Sequence, residues 1–518
     1  MAHPCSDFAT FKVEKRGCMV HRGRMSFPAV GKQQDHLGAF VHAEAGPRFL
    51  QSTWVPEAND MRQAPLPRQH DQPRNQGNDA EAAGLSRSLS HRGVDIWTFY
   101  NSHFKDYEAY QNNKYHQVLH TSGILNFGIN ENKLCIDLVA ARLCQRDMQY
   151  VEDLQLQYPS LRGHPFLREA VAQFLTYYCS APHHLSSRNV VVLNSCSAIF
   201  SVLAMVLCDP GDCFLVPTPF ISAFIIASKI CTNVELIPVY LDSEITDEDT
   251  LPFQLTVGKL EQALLEATTR CKKVKGLLLP NPQNATGHVY SQESLKEFLE
   301  FAKRNDLHVV VDEVYMLSVF DDSVQFQSVL SLDSLPDPQK TYVIWSTSKD
   351  FGLRFGVLYT HNKDVALAVS PFSYLHSISG ITQYRLHRLL QDRDWIDKVY
   401  LPTIRSRLAT AHAYVIQKLQ ELEEQLNFNT IFHSRSCGLY LWINLKNLLE
   451  PCTFEEELVL YRRFLDHKLI LSRGQSYLLK EPGWFRLCFA ENEQELMDGM
   501  QRFGEAIAEQ KQYVMEKA

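Results

Sequence analysis

Lys349 is the residue around which a reactive site can be built. It lies in Ser346-Thr347-Ser348-Lys349-Asp350-Phe351-Gly352, directly after the apolar run Thr341-Tyr342-Val343-Ile344-Trp345. A β-branched and aromatic run that gives way to small hydroxyl residues reads as a buried strand reaching its end. An ammonium at such a strand mouth is partly desolvated, which lowers its pKa and favours the nucleophilic amine, the form that builds a Schiff base. Other polar residues end apolar runs in the same way. Asn284 closes the run that starts at Val274, Asp312 closes the one that starts at Leu307 with Tyr315 three residues on, and Arg354 follows Lys349. A carboxylate at a strand end can pair with a protonated ring nitrogen, Asn and Tyr can hold a phenolic oxygen, and Ser and Arg can hold a phosphate. Singly, each has a plainer reading: a solvated loop lysine, a helix cap at Asp312, a turn residue at Asn284, a surface charge at Arg354. Their order along one chain favours a shared site for a compact anionic cofactor.

Such a cluster needs strands whose ends meet at one edge. Residues 190–193 form an apolar run followed by Ser195-Cys196-Ser197-Ala198 and a helix carrying Phe200, Leu203, Ala204 and Leu207. The amides and dipole at that helix start suit a phosphate. Asp209-Pro210-Gly211-Asp212 turns into the short strand Phe214-Leu215-Val216; Leu260, Ala263, Leu264 and Ala267 then recur at helical spacing. Residues 274–279 and 307–311 are further strands, separated by a helix capped by Ser291 with Leu295, Phe298, Leu299 and Ala302 inward. Wholly apolar strands alternating with helices predict an α/β fold whose large domain has a mostly parallel sheet covered by helices. Upstream, His164-Pro165 opens a helix with Leu167, Val171 and Phe174 on one face. After Asp394 a long helical stretch precedes strand-like segments at 439–445, 468–472 and 484–490, which predict a smaller α+β domain.

Bulk properties exclude several function classes. A chain of 518 residues with 45% hydrophobic content can support more than one core. The net charge of -8 argues against a nucleic-acid partner. The 13 cysteines are odd in number, scattered and without a Cys-x-x-Cys pair, which fits free thiols in a reducing compartment and no metal site. The first twenty residues lack the apolar core of a signal peptide, and the apolar run at 220–230 is cut by Lys229. The expectation is a cytoplasmic protein with no membrane partner, which makes the Asn284-Ala285-Thr286 glycosylation sequon incidental. Residues 1–88 read as a disordered N-terminal tail, because stretches such as 68–84 could bury almost nothing.

Three motifs in order, Asn281-Pro282-Gln283-Asn284, Asp312-Glu313-Val314-Tyr315 and Ser346-x-Ser348-Lys349, resemble the pyridoxal-phosphate enzymes of the aspartate aminotransferase fold (fold type I). Asn130-Glu131-Asn132-x-Leu134-Cys135 and Glu481-Pro482-Gly483-Trp484-Phe485-Arg486 resemble the 1-aminocyclopropane-1-carboxylate (ACC) synthase branch in particular. The resemblance spans about residues 89–510. It implies that Lys349 carries pyridoxal 5'-phosphate and shuttles the substrate's α-proton, that Asp312 pairs with the pyridine nitrogen, and that Asn284 and Tyr315 bind the ring hydroxyl. It implies further that Ser197, Ala198, Ser346 and Arg354 surround the phosphate, that Arg486 grips the carboxylate of an amino-acid substrate, and that Glu131 faces the substrate. Lys349 and Tyr315 are then the catalytic pair. The implied layout is the N-terminal part of the small domain and an arm at 89–170, a large cofactor-binding domain at 171–375 and the C-terminal small domain at 376–518, assembled as a homodimer.

The sequence departs from the family in one small region and at three further positions. The family spaces lysine and phosphate-binding arginine as S-x-S-K-x-x-G-x-x-G-x-R, whereas Arg354 comes only five residues after Lys349 (354 − 349). The missing segment spans roughly 10 Å of chain. Ile221 stands where the family has a ring-stacking aromatic, Ser195-Cys196 where it has glycines, and Leu161 where plant synthases have a tyrosine that reaches the neighbouring subunit. The functional expectation is a transaminase or lyase acting at the α-carbon of an amino acid, with ACC synthesis from S-adenosylmethionine least favoured. The alternative is a catalytically inactive homologue that works as a binding protein.

Overall fold

The computed structural model describes residues 88–517 except Ile221, 245–251, Asn429 and 434–436. The tail expected to be disordered therefore lies outside the described residues apart from Ser88, and so does the stacking position Ile221.

Seven strands form the central sheet: β1 (Val190–Leu193), β2 (Cys213–Pro217), β3 (Glu235–Val239), β4 (Val274–Pro280), β5 (His308–Asp312), β6 (Thr341–Ser346) and β7 (Gly356–Thr360), in the order β1-β7-β6-β5-β4-β2-β3. All pairings are parallel except the two that β7 makes, with β1 and β6. The sheet is thus mixed and mostly parallel, as the alternation predicts. Strands β1, β2 and β6 are buried along their whole length, because helices such as Pro165–Tyr178, Cys196–Leu207 and Gln292–Arg304 cover the sheet. Ser291 caps the last of these by accepting the amide of Ser294. β7 and β3 are not evident from the sequence: β7 is a buried strand entered from a contracted loop, and β3 contains a proline.

The register sets the active edge. Pro280 lies beside Asp312, Asp312 beside Ile344, Ser346 beside Gly356 and Gly356 beside Leu193. Because β7 runs backwards, its first residue meets the last residues of β6 and β1. The segments carrying Asn284, Asp312, Lys349, Arg354 and Ser195 to Ala198 therefore all emerge at one edge, where open α/β sheets hold ligands. Gly356 is required there, since a Cβ would sit 2.4 Å from the Ser195 carbonyl carbon.

The C-terminal region begins with the 26-residue helix Leu401–Leu426 and contains a four-stranded antiparallel sheet. Its strands β8 (Ile431–His433), β9 (Tyr440–Asn444), β10 (Ser472–Arg473) and β11 (Trp484–Cys488) run in the order β10-β11-β9-β8. Helices Phe454–Asp466 and Glu493–Lys517 pack with it. The segment 468–472, expected as one strand, is split. Leu469–Ile470 pairs in parallel with Leu125–Asn126, and only Ser472–Arg473 joins the antiparallel sheet. That split draws the 125–131 segment of the N-terminal region against the site.

Candidate functional site

Lys349 sits in the turn that follows β6. Phe351 donates its amide to the Thr347 carbonyl, and the Thr347 hydroxyl donates to the Leu353 carbonyl at 2.9 Å. The Lys349 ammonium donates to the main-chain oxygen of Asn130 at 2.6 Å. Burial lowers its pKa to about 8, and the nearby Arg486 guanidinium pushes in the same direction, against Cys488, Cys196 and Asp312. Asp312 ends β5 with its carboxylate accepting the Val314 amide at 3.2 Å. Burial raises it to about 7, opposed by that amide and by Lys349.

The other expected ring and substrate ligands form one bonded set. Arg486, on β11, donates from Nη1 to Asn284 Oδ1 at 3.0 Å, and Asn284 Nδ2 donates to the Tyr315 hydroxyl at 3.0 Å. Arg486 Nη2 donates to the Gly128 carbonyl at 2.6 Å, while Nε is buried without a partner among the described residues. Two rings face this guanidinium, Tyr440 at 4.1 Å and Tyr477 at 5.2 Å from centroid to charge. Asn284, Tyr315 and Arg486 are all buried.

The residues expected around a phosphate are arranged differently. Ser195 caps the Cys196–Leu207 helix by accepting the Ala198 amide at 3.1 Å, and Ser197 and Ala198 form the helix's first turn, half-buried. The Ser346 hydroxyl is spent inside its own loop, between the Phe355 carbonyl at 2.6 Å and the Ser348 hydroxyl at 2.8 Å. Arg354 is exposed and makes no hydrogen bond or ion pair among the described residues. Glu131 is exposed as well, although its backbone lies over the site: its carbonyl accepts from the Cys488 thiol, next to the Asn130 carbonyl that holds Lys349.

Sequence reading missed three neighbours. Asp350 is buried with Oδ2 unpartnered, and burial raises it to about 8 against the Ser318 hydroxyl and Lys349. Tyr440 bonds the Tyr315 hydroxyl through its own hydroxyl. Cys488 lies opposite Tyr440 in the β9–β11 register, with its thiol raised to about 12 by burial. A wholly buried strand such as β9 carries no alternation in its sequence, so nothing marks which of its side chains faces the ligands.

Among the described residues no group of three His, Cys, Asp or Glu side chains is placed to hold a metal ion. Nor, among the described residues, is any helix long and apolar enough to cross a membrane.

Comparison with known proteins bears on the family and the fold. The pattern of the family "Aminotransferase class I and II" matches residues 122–503. The human "Probable inactive 1-aminocyclopropane-1-carboxylate synthase-like protein 2" is 59% identical over 442 residues, covering 85% of this chain and 77% of the relative. The human "1-aminocyclopropane-1-carboxylate synthase-like protein 1" is 52% identical over 437 residues, covering 83% and 86%. The tomato (Solanum lycopersicum) "1-aminocyclopropane-1-carboxylate synthase 2" is 30% identical over 415 residues, covering 76% and 82%. Among solved structures, a Thermus thermophilus aspartate aminotransferase mutant complexed with tryptophan superposes with a TM-score of 0.62 at 19% identity, covering 81% of this chain and 100% of that one. The Pyrococcus horikoshii aromatic aminotransferase gives 0.60 at 20%, covering 75% and 96%. These structures share the aspartate aminotransferase-like fold.

Proposed function

The chain belongs to the aminotransferase class I and II family and resembles the ACC synthases within it, and on that premise we propose that it binds pyridoxal 5'-phosphate at Lys349 and acts at the α-carbon of an amino acid, as a transaminase or lyase. The observation that carries this reading is the bonded set Arg486–Asn284–Tyr315 beside a desolvated Lys349 and a buried Asp312. The donor set suits the group. Asn284 and Tyr315 offer N–H and O–H to a ring oxygen, Asp312 a carboxylate to a ring nitrogen, and the Cys196–Leu207 helix its first-turn amides to a phosphate.

The cofactor, when bound, supplies an electron sink that makes the α-proton acidic. The chain's own residues do the rest. Lys349 Nζ, with a pKa near 8, can release and accept a proton close to neutral pH, and the Asn130 carbonyl aims it. Arg486, with Nε unpartnered among the described residues and Nη2 on the same edge of the guanidinium, can turn that Nε/Nη2 edge onto a carboxylate by giving up the Gly128 carbonyl, while Nη1 stays on Asn284. Tyr440 and Tyr477 close over that guanidinium and keep water from it.

A second reading is binding without turnover, at least without ACC synthesis. It is favoured by the exposed, unbonded Arg354 and by the spent Ser346 hydroxyl, which leave the phosphate end short of ligands. The human relative whose name calls it inactive points the same way.

We further propose a homodimer and a cytoplasmic location. Leu156, Tyr158, Leu161, Tyr374 and Leu375 are exposed, Tyr158 entirely so. The first three lie near one another and near the Gly380–Gln391 helix, whose Gly380 packs on the Gln155 carbonyl, while Tyr374 and Leu375 immediately precede it. These exposed apolar side chains support an interface with a second copy. The location rests on the odd, scattered cysteines of the sequence.

The test of function is α-proton exchange. The protein loaded with pyridoxal phosphate is incubated in heavy water with single amino acids, and loss of the α-proton signal is followed by NMR. Exchange that disappears in Lys349→Ala supports the enzyme; keto-acid product then identifies transamination. No exchange with any amino acid supports the binding reading, and recovery of ACC from S-adenosylmethionine contradicts that reading and the low rank given to ACC synthesis.

A further inference from the structure

Tyr440 has a role in this site that no motif assigns. Its hydroxyl is buried, and among the described residues its one hydrogen-bond partner is the Tyr315 hydroxyl. A buried hydroxyl costs stability unless it is bonded, so a phenylalanine would fill this place more cheaply if volume were the requirement. The ring is fixed from two sides. It meets the Tyr315 ring edge-on at 5.7 Å and 83°, and it lies 4.1 Å from the Arg486 guanidinium. The β9–β11 register, Trp442 opposite Arg486 and Tyr440 opposite Cys488, places Tyr440 and Arg486 on the same face of the small sheet. Arg486, Asn284, Tyr315 and Tyr440 thus form a closed ring of contacts that joins the large and small sheets.

Two of the hydrogen bonds in that ring have directions set by donor chemistry, while in the Tyr315–Tyr440 pair either hydroxyl can donate. A guanidinium only donates, so the Asn284 atom facing Arg486 is its carbonyl oxygen and the amide nitrogen faces Tyr315. That amide nitrogen only donates, so it fills one lone pair of the Tyr315 oxygen. A phenol has one proton and two lone pairs. When Tyr440 donates to the second lone pair, the Tyr315 proton is the one capacity left, and it must point at a further acceptor. Asp312, Lys349, Tyr477 and Cys488 are the other titratable groups around this ring, and none is hydrogen-bonded to Tyr315 among the described residues.

We propose that Tyr440 is a positioning residue that, by donating to Tyr315, directs the Tyr315 proton at the cofactor's ring oxygen. The inference rests on the reading that Tyr315 faces that oxygen, and it adds the relay behind it. Chained donors polarise one another, so Tyr440 also strengthens the final bond.

Two measurements test it on the full chain. In the first, the visible absorption band of the pyridoxal-phosphate-loaded protein is titrated with pH in wild type, Tyr315→Phe and Tyr440→Phe. A proton donated to the ring oxygen stabilises the deprotonated form of the bound group, so both variants should raise the midpoint. Tyr440→Phe, which keeps the ring over Arg486, should raise it by about half a unit, roughly the value of one hydrogen bond, and less than Tyr315→Phe does. An unchanged midpoint in Tyr440→Phe overturns the proposal. In the second, thermal unfolding without cofactor is compared for the two single variants and the double variant. Paired hydroxyls predict a double loss no larger than the larger single loss, and additive losses overturn the pairing. A wild type that shows no band sinks the cofactor reading separately, and the unfolding cycle then decides the pairing by itself.

Discussion

At the scale of single residues, the site works through burial of groups that water would otherwise keep charged. Lys349, Asp312 and Asp350 all shift toward neutrality for that one reason. Asp350 gives a clean test. Its pKa is raised on folding, so its contribution to stability is complete below the unfolded value near 4 and is lost as pH rises toward about 8. Asp350→Asn carries no charge at any pH. Its melting temperature should therefore gain on wild type between pH 5 and pH 8, by about 1–3 °C, as followed by calorimetry. Arg486→Lys keeps the charge but loses the two-pronged grip, and should raise KM for the amino acid about tenfold or more in steady-state kinetics. Lys349, Asp312 and Asn284 stood out in the sequence because each follows an apolar run, and Tyr315 because it lies three residues past Asp312. Arg486 was legible only through its motif, and Tyr440 not at all, because a uniformly apolar strand does not declare its faces.

At the scale of elements, the loop between β6 and β7 carries the residues proposed to hold a phosphate. Its ends are fixed, since Ser346 pairs with Gly356 and Gly356 packs on the Ser195 backbone. Whatever the loop loses in length must come from between those ends, and Arg354, two residues before Gly356, sits exposed. Restoring three residues with a glycine between Gly352 and Leu353 should let the arginine fold back over the Cys196–Leu207 helix start. The expected result is about tenfold tighter pyridoxal phosphate, roughly one charge-assisted hydrogen bond, measured by calorimetric titration. Gly356→Ala should do the reverse, lowering stability by about 2 kcal/mol, because the added carbon meets backbone and not a yielding side chain. The strand-helix alternation announced β1, β2, β4, β5 and β6 directly. β7 escaped because an antiparallel strand reached through a turn carries no helix before it to announce it.

At the scale of the whole molecule, the antiparallel small sheet supplies Arg486 and Tyr440 while the mixed sheet supplies Asn284, Tyr315, Asp312 and Lys349. The α/β class and the smaller α+β region followed from periodicity. The meeting of the two sheets did not, because it depends on the 125–131 segment being drawn in by Leu469–Ile470. Tyr158 and Tyr374 are exposed, and on the proposed homodimer Tyr158→Asp with Tyr374→Asp should convert a dimer to a monomer in sedimentation velocity. The central claim is that this assembly holds pyridoxal phosphate on Lys349. The most direct measurement is to add pyridoxal phosphate, reduce with borohydride, and locate the added mass by peptide mapping. The account predicts a visible band before reduction and the full pyridoxyl-phosphate mass on the Lys349 peptide, absent in Lys349→Ala. No band at saturating cofactor, or label spread over surface lysines with none on Lys349, would contradict it.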